Sequence, residues 1–197
     1  MHMIKKIGIL AIVYLMSSLH ASTSYTWFEI KPGYFLFSNH TLRKIYHGGF
    51  EIQGSGSYPL SEKVDLYGSI GYIHAKGTSL QGNQKTSMWQ LPINLGLKAT
   101  ACMTERLRCY VAAGPRYFHF HQYNDSTYVN QNISKNGAAF FINGGLYYLT
   151  HDCFLLGIFT EYAFERKSFT SDRPNVYGIR QLPVGGFMFG ATLGIGF

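Results

Sequence analysis

At 197 residues the chain has room for one domain with a full core or for one small barrel, and not for two ordinary domains. It carries 22 Gly, 15 Tyr and 15 Phe but only 14% charged residues, against about 25% in typical globular chains, a composition suited to barrel walls. Mean hydropathy is near zero and no second long apolar segment follows the first, which excludes a helical membrane protein and leaves a barrel, whose alternating strands average out.

The formal charge is +7, and removal of Lys5 and Lys6 with a leader leaves +5. The basic residues are scattered one or two at a time among aromatic stretches, so no nucleic-acid partner is expected. A basic exterior facing anionic headgroups fits better.

In chain order, Lys5 and Lys6 precede an apolar run from Ile7 to Met16, followed by the small, weakly polar stretch Ser17 to Ser24. This reads as a secretory signal peptide, because a spanning helix needs about 20 apolar residues. Cleavage is expected between Ala21 and Ser24, dividing the chain into a signal at 1–22 and a barrel at 23–197.

Beyond the leader no helical period persists, but period-two alternation recurs, as strands with one apolar and one more polar face require. Phe28, Ile30, Tyr34 and Leu36 share a face; Phe50 and Ile52 oppose Glu51, Gln53, Ser55 and Ser57; Val64, Leu66, Ile70 and Tyr72 follow. Trp89, Leu91, Ile93, Leu95 and Leu97 oppose Gln90, Asn94 and Lys98, and a fifth strand runs from about Cys109 to Phe120. Phe140, Ile142, Leu146 and Tyr148 oppose Phe141, Asn143 and Tyr147, and Phe154, Leu156, Ile158, Thr160, Tyr162 and Phe164 oppose Phe159, Glu161 and Glu165. The last strand sets Phe187, Phe189, Ala191, Leu193, Ile195 and Phe197 against Met188, Gly190, Thr192, Gly194 and Gly196. That makes eight.

The connections alternate in length. Ser38 to His47, Lys76 to Ser87, Gln122 to Gly137 and Lys167 to Pro183 are long and polar, while Pro59 to Lys63, Ala99 to Leu107 and Thr150 to Asp152 are shorter. An outer-membrane barrel with both termini in the periplasm predicts this order, and a two-sheet sandwich, the alternative, does not. Pro32, Pro92 and Pro115 fall inside the proposed strands, where each removes a ladder donor, so bulges or frayed positions must absorb them. The fold class expected is therefore all-β: an eight-stranded antiparallel up-and-down transmembrane barrel.

The signal peptide, the glycine-aromatic strands, the segment Val64-Asp65-Leu66-Tyr67-Gly68-Ser69-Ile70-Gly71-Tyr72 and the ending Gly194-Ile195-Gly196-Phe197 resemble the small outer-membrane β-barrel family of OmpA/OmpX-type and opacity-type proteins. The resemblance implies outer-membrane lipid as surroundings and a terminal strand, Phe187, Phe189, Leu193, Ile195 and Phe197, read by the barrel-assembly machinery. The chain stops at the barrel's end, so no peptidoglycan-binding domain is expected.

Alternation points Glu29, Lys31, Glu51, Gln53, Asn94, Arg116, Asn143 and Glu161 into a lumen just wide enough for side chains to fill. Charges of both signs there should pair, and the resemblance implies a similar interior network; which carboxylate meets Arg116 stays open. Cys102, Cys109 and Cys153 fall at the periplasmic end, where Cys102 and Cys109 either bridge one short turn or remain thiols.

His119 and His121 face one side of a strand, with His40, His47 and His74 near the same rim. They read as an interfacial belt, with no metal or cofactor expected. The sequon-like triplets at Asn39, Asn124 and Asn132 carry no weight in a bacterial surface protein. No convincing His-x-Ser element is present, and no Gly-x-Ser-x-Gly, Walker loop or His-Glu-x-x-His appears, so no enzyme is expected. The expected function is a non-enzymatic barrel with a plugged lumen and four exposed loops that meet an extracellular ligand or host surface. A lipid-modifying enzyme or a narrow hydrophobic channel on the same scaffold is the alternative.

Overall fold

In the computed structural model the described residues are 26–79, 84–125, 132–151, 153–169 and 180–197. The proposed signal and its cleavage site lie outside them. Ten strands and one short helix follow in order: β1 (Trp27–Phe37), α1 (His40–Tyr46), β2 (Gly49–Pro59), β3 (Val64–Thr78), β4 (Lys85–Cys102), β5 (Leu107–Asn124), β6 (Asn132–His151), β7 (Phe154–Ala163), β8 (Arg166–Phe169), β9 (Arg180–Pro183) and β10 (Gly186–Gly196).

Eight of the strands close a barrel in the order β1-β10-β7-β6-β5-β4-β3-β2, every pair antiparallel, and β8 with β9 forms a separate hairpin between β7 and β10. Closure is made by β1 against β10, Trp27 opposite Gly196 through Phe37 opposite Gly186. Backbone bonds Thr26 N to Phe197 O (3.2 Å) and Phe197 N to Thr26 O (3.0 Å) extend the seam. A closed sheet leaves no edge, the condition for strands to sit in hydrocarbon.

The alternation read from the sequence is the alternation of the wall. Phe28, Ile30, Phe50, Ile52, Ile70, Leu95, Leu97, Val111, Ile158 and Leu193 are exposed on the outside, while Glu29, Lys31, Glu51, Gln53, Asn94 and Lys98 are buried inside. A water-soluble barrel would show the reverse arrangement. Among the described residues no helix is long and apolar enough to cross a membrane.

The three prolines do lie within strands, and the ladder makes room for them on one side only. Pairing of β1 with β10 skips Lys31 and Pro32, that of β3 with β4 skips Leu91 and Pro92, and that of β4 with β5 skips Gly114 and Pro115. The other neighbour stays in register: Pro32 opposite Ile52, Pro92 opposite Phe118, Pro115 opposite Phe140. An antiparallel residue donates toward only one neighbour, so a missing N–H costs one ladder bond and no more. Glycines stand at each gap. A Cβ on Gly190 would lie 2.1 Å from Pro32 O, on Gly114 2.1 Å from Leu95 O, and on Gly71 3.0 Å from Pro92 Cγ.

The long polar connection Ser38 to His47 carries a short helix at His40–Tyr46. Asn39 caps it, its Oδ1 accepting from Thr41 N (2.9 Å) and Leu42 N (3.1 Å). The helix ends at His47, which takes a left-handed φ of 56° before Gly48 at 124°. Strands β1, β2, β7 and β10 have 11, 11, 10 and 11 residues, whereas β3 to β6 have 15, 18, 18 and 20. At roughly 2.5 Å of height per tilted residue, β6 spans about 50 Å against an apolar band of about 25 Å. These four strands therefore stand as a wall above the long-loop end.

Candidate functional site: the barrel lumen

The interior is built in tiers. At the short-turn end Trp27 closes the bottom, and above it Glu29 holds two ammonium groups: Lys98 Nζ to Oε1 at 2.6 Å and Lys31 Nζ to Oε2 at 2.8 Å. Tyr147 OH donates to the same Oε1 (2.8 Å) and Ser55 Oγ to Oε2 (3.2 Å). Aromatic rings surround the cations. Lys31 Nζ lies 5.1 Å from the Tyr67 ring centre and 5.2 Å from Tyr110, and Lys98 Nζ lies 4.9 Å from Tyr110 and 4.8 Å from Tyr147. Two positive charges on one carboxylate are thus partly balanced by ring faces.

The second tier is acidic. Arg116 Nη1 donates to Glu161 Oε1 at 2.5 Å, and Arg116 Nε lies 2.6 Å from Glu165 Oε1 as an ion pair outside hydrogen-bond alignment. Asn143 Nδ2 donates to Glu161 Oε2 (2.8 Å), Gln53 Nε2 to the same oxygen (3.4 Å), and Gln90 Nε2 to Glu165 Oε2 (2.7 Å). Tyr110 OH donates to Asn143 Oδ1 (2.7 Å), and the Tyr110 and Tyr147 rings stack at 4.4 Å, so the two tiers form one connected network.

Above it an apolar lid fills the long-loop end: Phe35, Phe37, Tyr46, Ile73, Met88, Phe118, Phe120, Val184 and Met188 form one buried cluster. Helix α1 contributes Tyr46, whose ring packs 5.6 Å from Phe37 and whose hydroxyl bonds Thr86 Oγ1 at 3.0 Å. Arg43 pins the helix by donating twice to Phe37 O, at 3.0 and 2.8 Å.

All eight residues expected in the lumen are there, each no more than 3% exposed. Arg116, Glu161, Asn143 and Gln53 meet in the upper tier and Glu29 and Lys31 in the lower. Asn94 Nδ2 donates to Ser69 Oγ (3.0 Å), outside both. Glu51 is buried with neither carboxylate oxygen bonded. Sequence reasoning left out Lys98, Gln90 and Glu165 from the network and the Tyr67, Tyr110 and Tyr147 rings. Strand parity already put Gln90, Lys98, Tyr147 and Glu165 inward, and only the register tells which groups meet. Among the described residues four carboxylates (Glu29, Glu51, Glu161, Glu165) and three cations (Lys31, Lys98, Arg116) are fully buried.

The Cys102 to Cys109 bridge entertained from sequence does not form, and all three thiols are free. Cys102 stands opposite Arg108 and Cys109 opposite Ala101, so the two are one step out of register and project from opposite faces of the wall. No group of three or more candidate metal ligands occurs among the described residues. On the outside, His119 and His121 flank Trp89, with ring centres at 5.2 and 5.3 Å.

An apolar outer wall, a closed eight-stranded sheet and an ionic interior define a small transmembrane β-barrel. Solved structures of that class share the fold. The outer membrane protein OprG from Pseudomonas aeruginosa matches over 89% of this chain and 98% of its own, at 12% identity and a TM-score of 0.63. The outer membrane protein AlkL, determined in lipid bilayers, matches over 91% and 93% at 16% identity and 0.56. Neisserial surface protein A matches over 90% and 99% at 13% identity and 0.53. No protein-family model matches the sequence, and neither does any curated protein.

Proposed function

We propose that this chain is an integral protein of the outer membrane of a Gram-negative-type bacterium, with a plugged lumen and a structural or surface-contact role. Residues 1–22 act as the export signal and 23–197 as the barrel. The observation that carries this is the inversion of polarity across the wall: apolar side chains outside, paired charges and an aromatic lid inside. Two outward aromatic girdles support placement in a bilayer, Tyr34, Phe50, Tyr72, Tyr117, Phe140, Tyr162 and Phe187 at one level and Phe28, Tyr58, Tyr148, Phe154 and Phe197 at the other.

The connected network and the lid favour a plug over a channel, since the ion pairs of both tiers cross the lumen and apolar side chains cover its long-loop end. The four long connections then meet the surroundings and any extracellular ligand or host surface. The barrel-assembly machinery reads the terminal strand, in which Phe187, Phe189, Leu193, Ile195 and Phe197 face outward. The role is non-enzymatic, and no cofactor is required.

Planar-bilayer recording of the purified, refolded protein tests the reading. The expected record shows no sustained large conductance, and a stable open channel in the wild-type protein would overturn the plug.

A further inference from the structure

The apolar band ends unevenly, and the wall of β3 to β6 carries a distinct surface just above it. Up to Tyr72, Leu91, Tyr117 and Ala138 the outward positions are apolar and exposed. One outward step higher stand His74, Trp89, His119 and Asn136; above them follow Lys76, Ser87, His121 and Ser134. His74 pairs in register with Trp89, and Trp89 with His121, so a continuous row crosses three strands. With strands about 4.8 Å apart, the four strands make a face roughly 15 Å wide, the scale of one lipid headgroup.

Its chemistry is that of an anion receptor. His121 Nδ1 lies 2.7 Å from Ser134 Oγ and His119 Nδ1 bonds Asn136 Oδ1. With Nδ1 of both rings held, Nε2 is the nitrogen left to meet a ligand, and on His119, whose Nδ1–H donates to the Asn136 oxygen, it donates to an anion as the imidazolium. His74 stacks on Tyr72 with its Nδ1 buried and unbonded. Lys76 is exposed directly above it. Among the described residues the nearby carboxylate is Asp125, at the far tip of the wall, where its backbone N–H bonds Lys85 O. On the opposite side β1 stops at Phe37 and β10 starts at Gly186, so these two strands carry no outward row at this height.

We infer that this face holds the phosphate of an anionic glycolipid headgroup, with Lys76, His119, His121 and His74 meeting the phosphate and Trp89 set at the boundary between headgroup and acyl chain. The inference rests on the transmembrane reading above and adds a sided lipid contact to it.

The chain has two tryptophans, Trp27 and Trp89, and Trp27 is buried in the lumen, so a Trp27→Phe variant makes Trp89 the sole reporter. That variant is reconstituted into phosphatidylcholine vesicles, with a diphosphorylated glycolipid or its dephosphorylated counterpart added. The expected result is a shift in Trp89 emission with the phosphorylated form alone, its half-point raised about fivefold by Lys76→Gln, the factor for one basic residue at an anionic surface. It rises further in His119→Gln/His121→Gln. Equal responses to both glycolipids would overturn the assignment, as would an unchanged half-point in Lys76→Gln, an exposed substitution that leaves the barrel intact. Inorganic phosphate giving the same shift in detergent would also overturn it, because a free anion would then suffice. Failure to enter plain phosphatidylcholine vesicles would instead sink the transmembrane reading.

Discussion

Arg116 is the single cation of the acidic tier, and its removal should be far costlier than removal of the neighbouring acid Glu51. Arg116→Met keeps an apolar stem but strips the partner from Glu161 at 2.5 Å and Glu165 at 2.6 Å, both side chains no more than 2% exposed. Breaking a buried pair by deleting one member costs about 3–5 kcal/mol, because the remaining charge stays desolvated. Here two carboxylates are left, so the upper end applies, a large part of a total stability of roughly 5–15 kcal/mol. With a urea slope of about 2–3 kcal/mol per M, the unfolding midpoint should fall by about 2 M. Glu51→Gln keeps the volume of a buried carboxyl group whose two oxygens have no bonded partner, so its midpoint should hold or rise. Urea titration of refolded protein in detergent, read by heat-modified gel mobility, measures both. Equal midpoints for Arg116→Met and wild type would refute the reasoning, as would a loss in Glu51→Gln as large as in Arg116→Met. A triple variant, Arg116→Met/Glu161→Gln/Glu165→Gln, should recover most of the loss if unpaired charge is its cause.

The glycines beside the prolines give a second contrast. Gly114→Ala drives a Cβ to 2.1 Å from Leu95 O and should cost about 1–3 kcal/mol, whereas Gly54→Ala, with nothing within 4 Å, should leave the urea midpoint unchanged. The cysteines should stay reduced: denaturing gels with and without reductant should show the same monomer band, and thiol labelling should proceed fastest at the exposed Cys153. Phe197→Lys should leave folding in detergent intact, since the ring is 71% exposed and its burial in lipid is worth at most about 2 kcal/mol. The same variant should fail to reach the membrane in cells. Normal surface levels, measured by fractionation, would show that the terminal strand is not read as an assembly signal.

What the amino-acid sequence determined by itself is the side of the wall on which each residue lies. Side chains of a strand alternate with a period of two, a local property that needs no knowledge of neighbours, so Glu29, Lys31, Glu51, Gln53 and Arg116 were legible as interior and Phe187, Phe189, Leu193 and Ile195 as exterior. The alternation of long and short connections likewise set the up-and-down order, and with it the closure of β1 on β10. Whether inward charges meet is a different kind of quantity. It depends on the register of strands far apart in the chain and on the stagger with which the sheet closes, and so only the tertiary structure puts Lys98 on Glu29, 69 positions away, and Glu165 on Arg116 while leaving Glu51 alone. The same non-local register turns Cys102 and Cys109 to opposite faces. The helix at His40–Tyr46 was hidden for another reason: seven residues are too few to show an apolar period, and what stabilises them is the docking of Tyr46 and Arg43 on the mouth of a barrel already formed.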